Sequence, residues 1–170
     1  MSTHHQSDHD TAKLRDALFD ALEDQRTGML GVQGSSSHMQ PMTHYTDDGA
    51  PVLRFITARD TDLAREIGTS GTAHFTVTSK DTYACMKGAI RPVEDRATLE
   101  RLWSPAADMW FEGGIDDPSV LLLEMPLDDA AVWTIDANAL QFGIEMIRAN
   151  LSEDHKPDLG DHGIVKLRAA

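Results

Sequence analysis

The junction Phe55-Ile56-Thr57-Ala58-Arg59-Asp60-Thr61-Asp62 is where residue types and spacing in this chain could hold an anion. A β-branched and aromatic run gives way there to a helix start, whose unpaired N–H groups favour negative charge. Arg59 can form two parallel bonds to a phosphate, and the hydroxyls of Thr57 and Thr61 add donors. The same residues have a plainer reading, in which Asp60 and Thr61 cap the helix and Arg59 is a solvated partner of nearby acids. Asp60 and Asp62 also set negative charge where a phosphate would sit. Local features alone favour the plainer reading.

Three tryptophans, Trp103, Trp110 and Trp133, either fill a core or stack on a planar ligand. Leu102 to Gly114 combines bulky rings with the flexible pair Gly113-Gly114, a mixture that suits an interface better than a buried loop. Eight histidines raise the question of a metal. His4, His5 and His9 fall in a polar start expected to be disordered, and His38, His44, His74, His155 and His162 have no tight ligand spacing, so no metal site is assigned. The one cysteine, Cys85, lies in a strand-like run and reads as a buried structural thiol. Phosphate-loop, nucleophile-elbow and zinc-finger spacings are missing, so any chemistry is expected to come from a cofactor.

The elements that must position these residues follow from periodicity. Leu14, Ala17, Leu18, Ala21 and Leu22 recur at helical spacing and predict a helix from Thr11, as its cap, to about Gln25. Short runs rich in Val, Ile, Thr and aromatic residues come next. They predict strands at Thr27 to Val32, Ser37 to Thr46, Val52 to Ala58, Thr72 to Ser79, Thr82 to Val93, Val120 to Met125 and about Ala130 to Ile135. Asp47-Asp48-Gly49 suits a hairpin turn. Short helices are expected at Asp60 to Ile67, closed by Gly68, and at Arg96 to Trp103, with another at Asn138 to Leu151. The organisation expected is a disordered start over residues 1–10, one domain over 11–151 and a polar tail over 152–170. Six or seven consecutive antiparallel strands with flanking helices, an α+β chain that is mainly β, should curl into a closed or nearly closed barrel that hides its edges.

Composition narrows the function. The 170 residues carry 28 acidic against 15 basic side chains, a formal charge of −13, which repels nucleic acid and anionic membrane surfaces. Neither an apolar span nor a secretion signal is visible, so a cytoplasmic location is expected.

Several pieces in order give the chain a family likeness: Pro41-Met42 after a Gly/Ser turn, Phe55 to Thr61, Tyr83 followed by Gly88, Leu102 to Pro105, Trp110-Phe111, Asp116 to Pro118, and Val132-Trp133. From about Leu14 to Asp136 the chain resembles the pyridoxamine 5′-phosphate oxidase-like, flavin-binding split barrels, in particular the general stress protein branch. The resemblance implies a split β-barrel homodimer with flavin mononucleotide (FMN) in clefts between subunits, flavin adenine dinucleotide (FAD) being the other flavin to consider. It implies that Gln40, Pro41, Met42 and Thr43 lie along the ring, and that Phe55, Ile56, Thr57, Arg59 and Thr61 hold the ring edge and phosphate. Tyr83 and Lys87 would add contacts from their strand, and Trp110 and Trp133 would approach from the partner.

Two positions depart from the family pattern: Gln40 stands where the family has Arg, and Leu63 where it has Lys. The basic closing strand of true pyridoxamine phosphate oxidases has no counterpart in the acidic C-terminal segment, so oxidation of vitamin B6 phosphates is not assigned. The implied activity is that of a flavin-dependent oxidoreductase acting on an unknown small molecule. The alternative is a non-catalytic split-barrel binding module that has lost strong flavin affinity.

Overall fold

The structure, a computed structural model, describes residues 8–47, 50–135 and 160–168. Helix α1 (Asp8–Asp24) lays Leu14, Leu18, Ala21 and Leu22 on the barrel, each at most 2% exposed. It begins a turn earlier than its apolar stripe, which leaves Thr11 inside the helix and not at its cap. Strands β1 (Thr27–Val32), β2 (Gln40–Thr43), β3 (Tyr45–Thr46) and β4 (Val52–Ala58) follow. After α2 (Asp62–Ile67) come β5 (Gly71–Thr78) and β6 (Thr82–Val93), then α3 (Arg96–Leu102) and α4 (Pro105–Asp108). Strands β7 (Val120–Thr134) and β8 (His162–Lys166) complete the described chain. The expected helix at Asn138 to Leu151 lies outside the described residues, as do Asp48 and Gly49 of the expected turn.

Every pairing is antiparallel, and the strands run in the order β2-β1-β5-β6-β7-β4-β3. The two ends of that row, β2 and β3, are separated in the chain by His44 alone. One segment therefore pairs with β1 through its first half and with β4 through its second, so its corner at His44 closes the row into a barrel. This is the split antiparallel barrel expected from the sequence. It also explains why the single strand expected over Ser37 to Thr46 appears as two short ones: the backbone must turn where it changes partner.

His44 locks that corner. It is 3% exposed, its Nε2 donates to the Leu22 carbonyl of α1 at 2.9 Å, and its ring packs edge-on to Phe75 at 5.1 Å. Burial holds its pKa below the ordinary histidine value, opposed by the Leu22 hydrogen bond and assisted by nearby Arg26. A neutral ring with a proton on Nε2 fits that environment.

The two strands expected at Val120 to Met125 and around Ala130 to Ile135 are one strand, β7. Pro126 and the acidic pair Asp128-Asp129 read as an interruption, but the strand absorbs them by changing its neighbour. Its first half pairs with β4 and its second with β8, and β6 runs along the other side with a bulge between Lys87 and Gly88. Gly88 is required there, because a Cβ would stand 2.2 Å from the Pro126 carbonyl oxygen. Strand β8 falls in the segment read as a polar tail. Its pattern was too short to separate from the charged residues around it, yet Val165 is fully buried.

Phe55, Phe75, Leu30, Leu53, Leu123 and Met125 fill the barrel. Among the described residues no helix is long and apolar enough to cross a membrane.

Candidate functional site

A cleft of about 630 Å³ opens where the barrel seam meets the α3–α4 region. One wall is the seam itself, Pro41, Met42, Thr43 and Tyr45. The floor is the end of β4, Ile56, Thr57 and Ala58, with Thr61 just beyond, and the opposite wall is Ser104, Ala106, Ala107, Trp110 and Phe111. Arg26, the last residue before β1, closes one end. Among the described residues the lining is mostly apolar, with hydroxyls on Thr43, Tyr45, Thr57, Thr61 and Ser104 and a single charge, which is the make-up of a site for a flat, largely apolar ligand with a few polar contacts.

Local chemistry explains each wall. The residues after β4 leave the sheet because Thr61, in extended conformation, caps α2, its Oγ1 accepting from the Ala64 N–H at 3.2 Å and donating to the Ala58 carbonyl at 2.9 Å. Gly68 ends the helix at φ +56°. Thr61, not Asp60, is thus the cap, and Asp60 is exposed. In the far wall, Ser104 caps α4 and Pro105 sits in its first turn. The Trp103 indole N–H donates to Asp108 at 3.1 Å, and the Trp103 and Phe111 rings pack at 5.7 Å. Arg96 reaches from α3 to the Ile115 carbonyl at 3.1 Å and to Asp116 at 2.8 Å. The Asp117 carboxylate accepts from the Ser119 hydroxyl, the Ser119 N–H and the Gly113 N–H, which keeps its pKa below the usual carboxylate value. The Asp-Asp-Pro motif is therefore a loop former. Trp110, by contrast, is 83% exposed at the mouth beside Met109 at 82%.

The structure brings Pro41, Met42, Thr43, Ile56, Thr57, Thr61 and Trp110 of the sequence-derived set into one cleft, Trp110 from the same subunit and not, as the resemblance implies, from a partner. Others stand elsewhere on this subunit. Gln40 is half-buried on β2 opposite Leu30, and Phe55 is fully buried in the core, 5.2 Å from Phe75. Arg59 follows the lining residue Ala58 but is not itself among the lining residues; it is exposed, its backbone N–H is bonded to the Ser119 carbonyl, and its guanidinium has no partner among the described residues. Lys87 is exposed on β6 opposite Asp129. Tyr83 and Trp133 are register partners on the outer face of the sheet, 44% and 46% exposed. Sequence reasoning missed Arg26, Tyr45, Ser104, Ala106, Ala107 and Phe111 as lining residues. Alternation along Pro41-Thr43-Tyr45 could have found Tyr45; for Arg26, a lone charge between a helix and a strand, no signal existed.

Cys85 is half-buried, not buried, and it lies on that same outer face. Desolvation, with help from Asp129, raises its thiol pKa, so it is a poor nucleophile. Among the described residues no three His, Cys, Asp or Glu side chains gather as a metal site would require.

The family model described as "Pyridoxamine 5'-phosphate oxidase like" matches residues 13–158. This chain belongs to that family. General stress protein 26 of Bacillus subtilis (strain 168) is a relative within it, 25% identical over 122 residues that cover 68% of this chain and 85% of that protein. A solved structure from Jannaschia sp. CCS1, ascribed to general stress protein 26, is 35% identical, superposes with a TM-score of 0.75 and covers 91% of this chain and 99% of its own. The general stress FMN/FAD binding protein of Xanthomonas citri is 32% identical with a TM-score of 0.67, over 72% of this chain and 89% of its own. Like these relatives, the present member of the pyridoxamine 5'-phosphate oxidase-like family is built on an antiparallel split barrel.

Proposed function

We propose that this protein binds a flavin, FMN before FAD, in the cleft between the barrel seam and the α4 wall, and uses it as an oxidoreductase on a small molecule. The observation that carries the reading is the cleft itself: strand wall, strand floor and aromatic flap enclose a volume of about 630 Å³ with apolar sides and scattered hydroxyls. A flavin ring needs apolar walls and a polar edge, and the X. citri relative is named for binding FMN or FAD. Bound flavin would supply hydride or electron transfer. The chain's own part is to orient and to exclude water. Pro41, Met42 and Thr43 would lie along the ring, Ile56 and Thr57 at its edge, and Trp110 over it. Thr61 and Arg59 would hold the phosphate at the rim, while backbone groups of Gln40 and Phe55 finish the strands that carry the walls.

We also propose a homodimer. The register row Met29–Thr76–Cys85–Ala131–Ile164 crosses the outer face of the sheet, with Tyr83 and Trp133 beside it. Met29 and Ile164 are 39% and 51% exposed, an apolar patch that a second copy would cover. In such a pair Tyr83, Lys87 and Trp133 would approach the ligand of the other subunit. A cytoplasmic location accords with this reading.

One observation favours the second reading, a binding module with weak flavin affinity. Leu63 is 2% exposed in the core and Gln40 is outside the cleft lining, so neither position offers a cation to a phosphate. Purified protein titrated with FMN separates the two: quenching of flavin fluorescence with one flavin per chain supports the first. A colourless protein that leaves flavin fluorescence unchanged removes it, and native mass spectrometry then identifies any other ligand.

A further inference from the structure

We propose that Arg26 is a second anion anchor, at the Tyr45 end of the cleft, for a small molecule that carries a carboxylate or phosphate group there. The inference rests on the cleft being the ligand site, not on flavin being its ligand.

Among the described residues, Arg26 is the one charged residue in the cleft lining, and it lines a smaller adjoining pocket of about 320 Å³ as well. Its guanidinium has no hydrogen bond or ion pair among the described residues, whereas Arg54, Arg65, Arg91, Arg96, Arg101 and Arg168 all have carboxylate partners. Its backbone is pinned to the seam, its carbonyl accepting from the His44 N–H at 3.2 Å. A guanidinium held beside apolar walls without a counter-ion is a planar fork suited to a two-oxygen anion. In a chain of formal charge −13, an anion has few other places to settle. Glu23 lines the smaller pocket but not the cleft, so repulsion directs the anion to the cleft side of Arg26.

The position is separate from the Arg59 rim. Tyr45, next to Arg26, stands opposite Arg54 on β4, and Ala58 lies four residues further along. At about 3.3 Å per residue, Arg54 and Ala58 are about 13 Å apart along the strand, so the backbones that carry Arg26 and Arg59 lie at different ends of the cleft floor.

The test uses benzoate and benzamide, which share a shape but not a charge, and inorganic phosphate, each titrated by calorimetry into flavin-free and FMN-treated protein. Wild type should bind benzoate or phosphate, and Arg26→Gln, checked for folding by its melting curve, should weaken that binding about tenfold or more while leaving benzamide unchanged. Arg26→Lys should keep part of the affinity and guards against an unfolded Gln variant. Equal anion affinity in wild type and Arg26→Gln, or no anion binding to wild type, overturns the proposal. So does an Arg26→Gln protein that loses FMN affinity instead, because Arg26 would then hold the flavin's own phosphate. If FMN binds neither protein but the anion difference persists in the flavin-free pair, the flavin reading fails and the Arg26 assignment stands.

Discussion

Arg54 on β4 and Glu124 on β7 are register partners, and their side chains meet at 3.0 Å in the middle of the barrel wall. Arg54 also pairs with Asp47, Asp47 with Arg101 of α3 at 2.6 Å, and Glu124 with Arg91 at 3.1 Å. The chain of five charges ties α3, and with it the aromatic wall of the cleft, to the barrel. Hydrogen bonds from Arg101 and Arg54 hold the Asp47 carboxyl below its usual pKa. Glu124→Ala should cost about 1–3 kcal/mol in chemical denaturation, since it removes one of the two carboxylates that hold a mostly buried guanidinium. A loss no larger than that of Arg91→Ala, an exposed partner, would mean that Arg54 is satisfied by Asp47 alone.

The His44 corner predicts an acid-sensitive barrel. The folded-state pKa lies below that of the unfolded chain, so the unfolded state takes up the proton first as pH falls. His44 therefore costs no stability above about pH 6.5 and loses it progressively below that value. The melting temperature should drop between pH 7 and pH 5. In His44→Gln, which keeps a donor near Leu22, the drop should be shallower, and an unchanged slope would assign the acid sensitivity elsewhere.

Gly88→Ala should destabilise the barrel by about 3 kcal/mol, because the new Cβ meets a backbone oxygen and not a flexible side-chain end. Gly34→Ala gives the contrast. That glycine has open space around it but φ +82°, so only backbone strain of about 1 kcal/mol is expected. Urea unfolding of the two variants compares clash with strain.

At the cleft rim, Arg59→Ala should weaken FMN binding about tenfold to a hundredfold, and Arg96→Ala much less. Arg96 is already engaged by two carboxylates, Glu100 and Asp116, and by the Ile115 carbonyl, so its charge is neutralised within the protein. Similar flavin affinities in the two variants, read by fluorescence quenching, would remove the phosphate role of Arg59.

Trp133→Lys combined with Ile164→Lys should turn a dimer into monomers in sedimentation velocity, as charges would replace apolar contacts on the outer sheet face. Wild-type protein that sediments as a monomer would count against the homodimer.

Strands β1, β4, β5 and β6 and the short helices α2 and α3 were legible because alternation and turn residues are local signals, whereas α4 and β8 were not read; the barrel followed because consecutive antiparallel strands leave edges that must be hidden. The seam at His44 was not legible. Nothing local distinguishes a strand that keeps one neighbour from a strand that trades β1 for β4 halfway. The joining of Val120 to Thr134 was missed for a related reason: Pro126 breaks a ladder only where a donor is needed, and partner exchange removed the need. Of the site, the residues on β2 and β4 and the α2 cap Thr61 were readable from motifs. Arg26 became visible only when folding set it against Tyr45, which lies 19 positions away in the chain.

The segment from Gln40 to Thr46 is at once the fastener that closes the barrel and a face of the cavity beside it. Parting it would erase the binding surface together with the fold, so whatever molecule settles there also clamps the fastener shut. Heat resistance should thus climb with the logarithm of ligand concentration once the site is filled. A panel of candidate metabolites could then be ranked by melting temperature alone, without knowing the reaction.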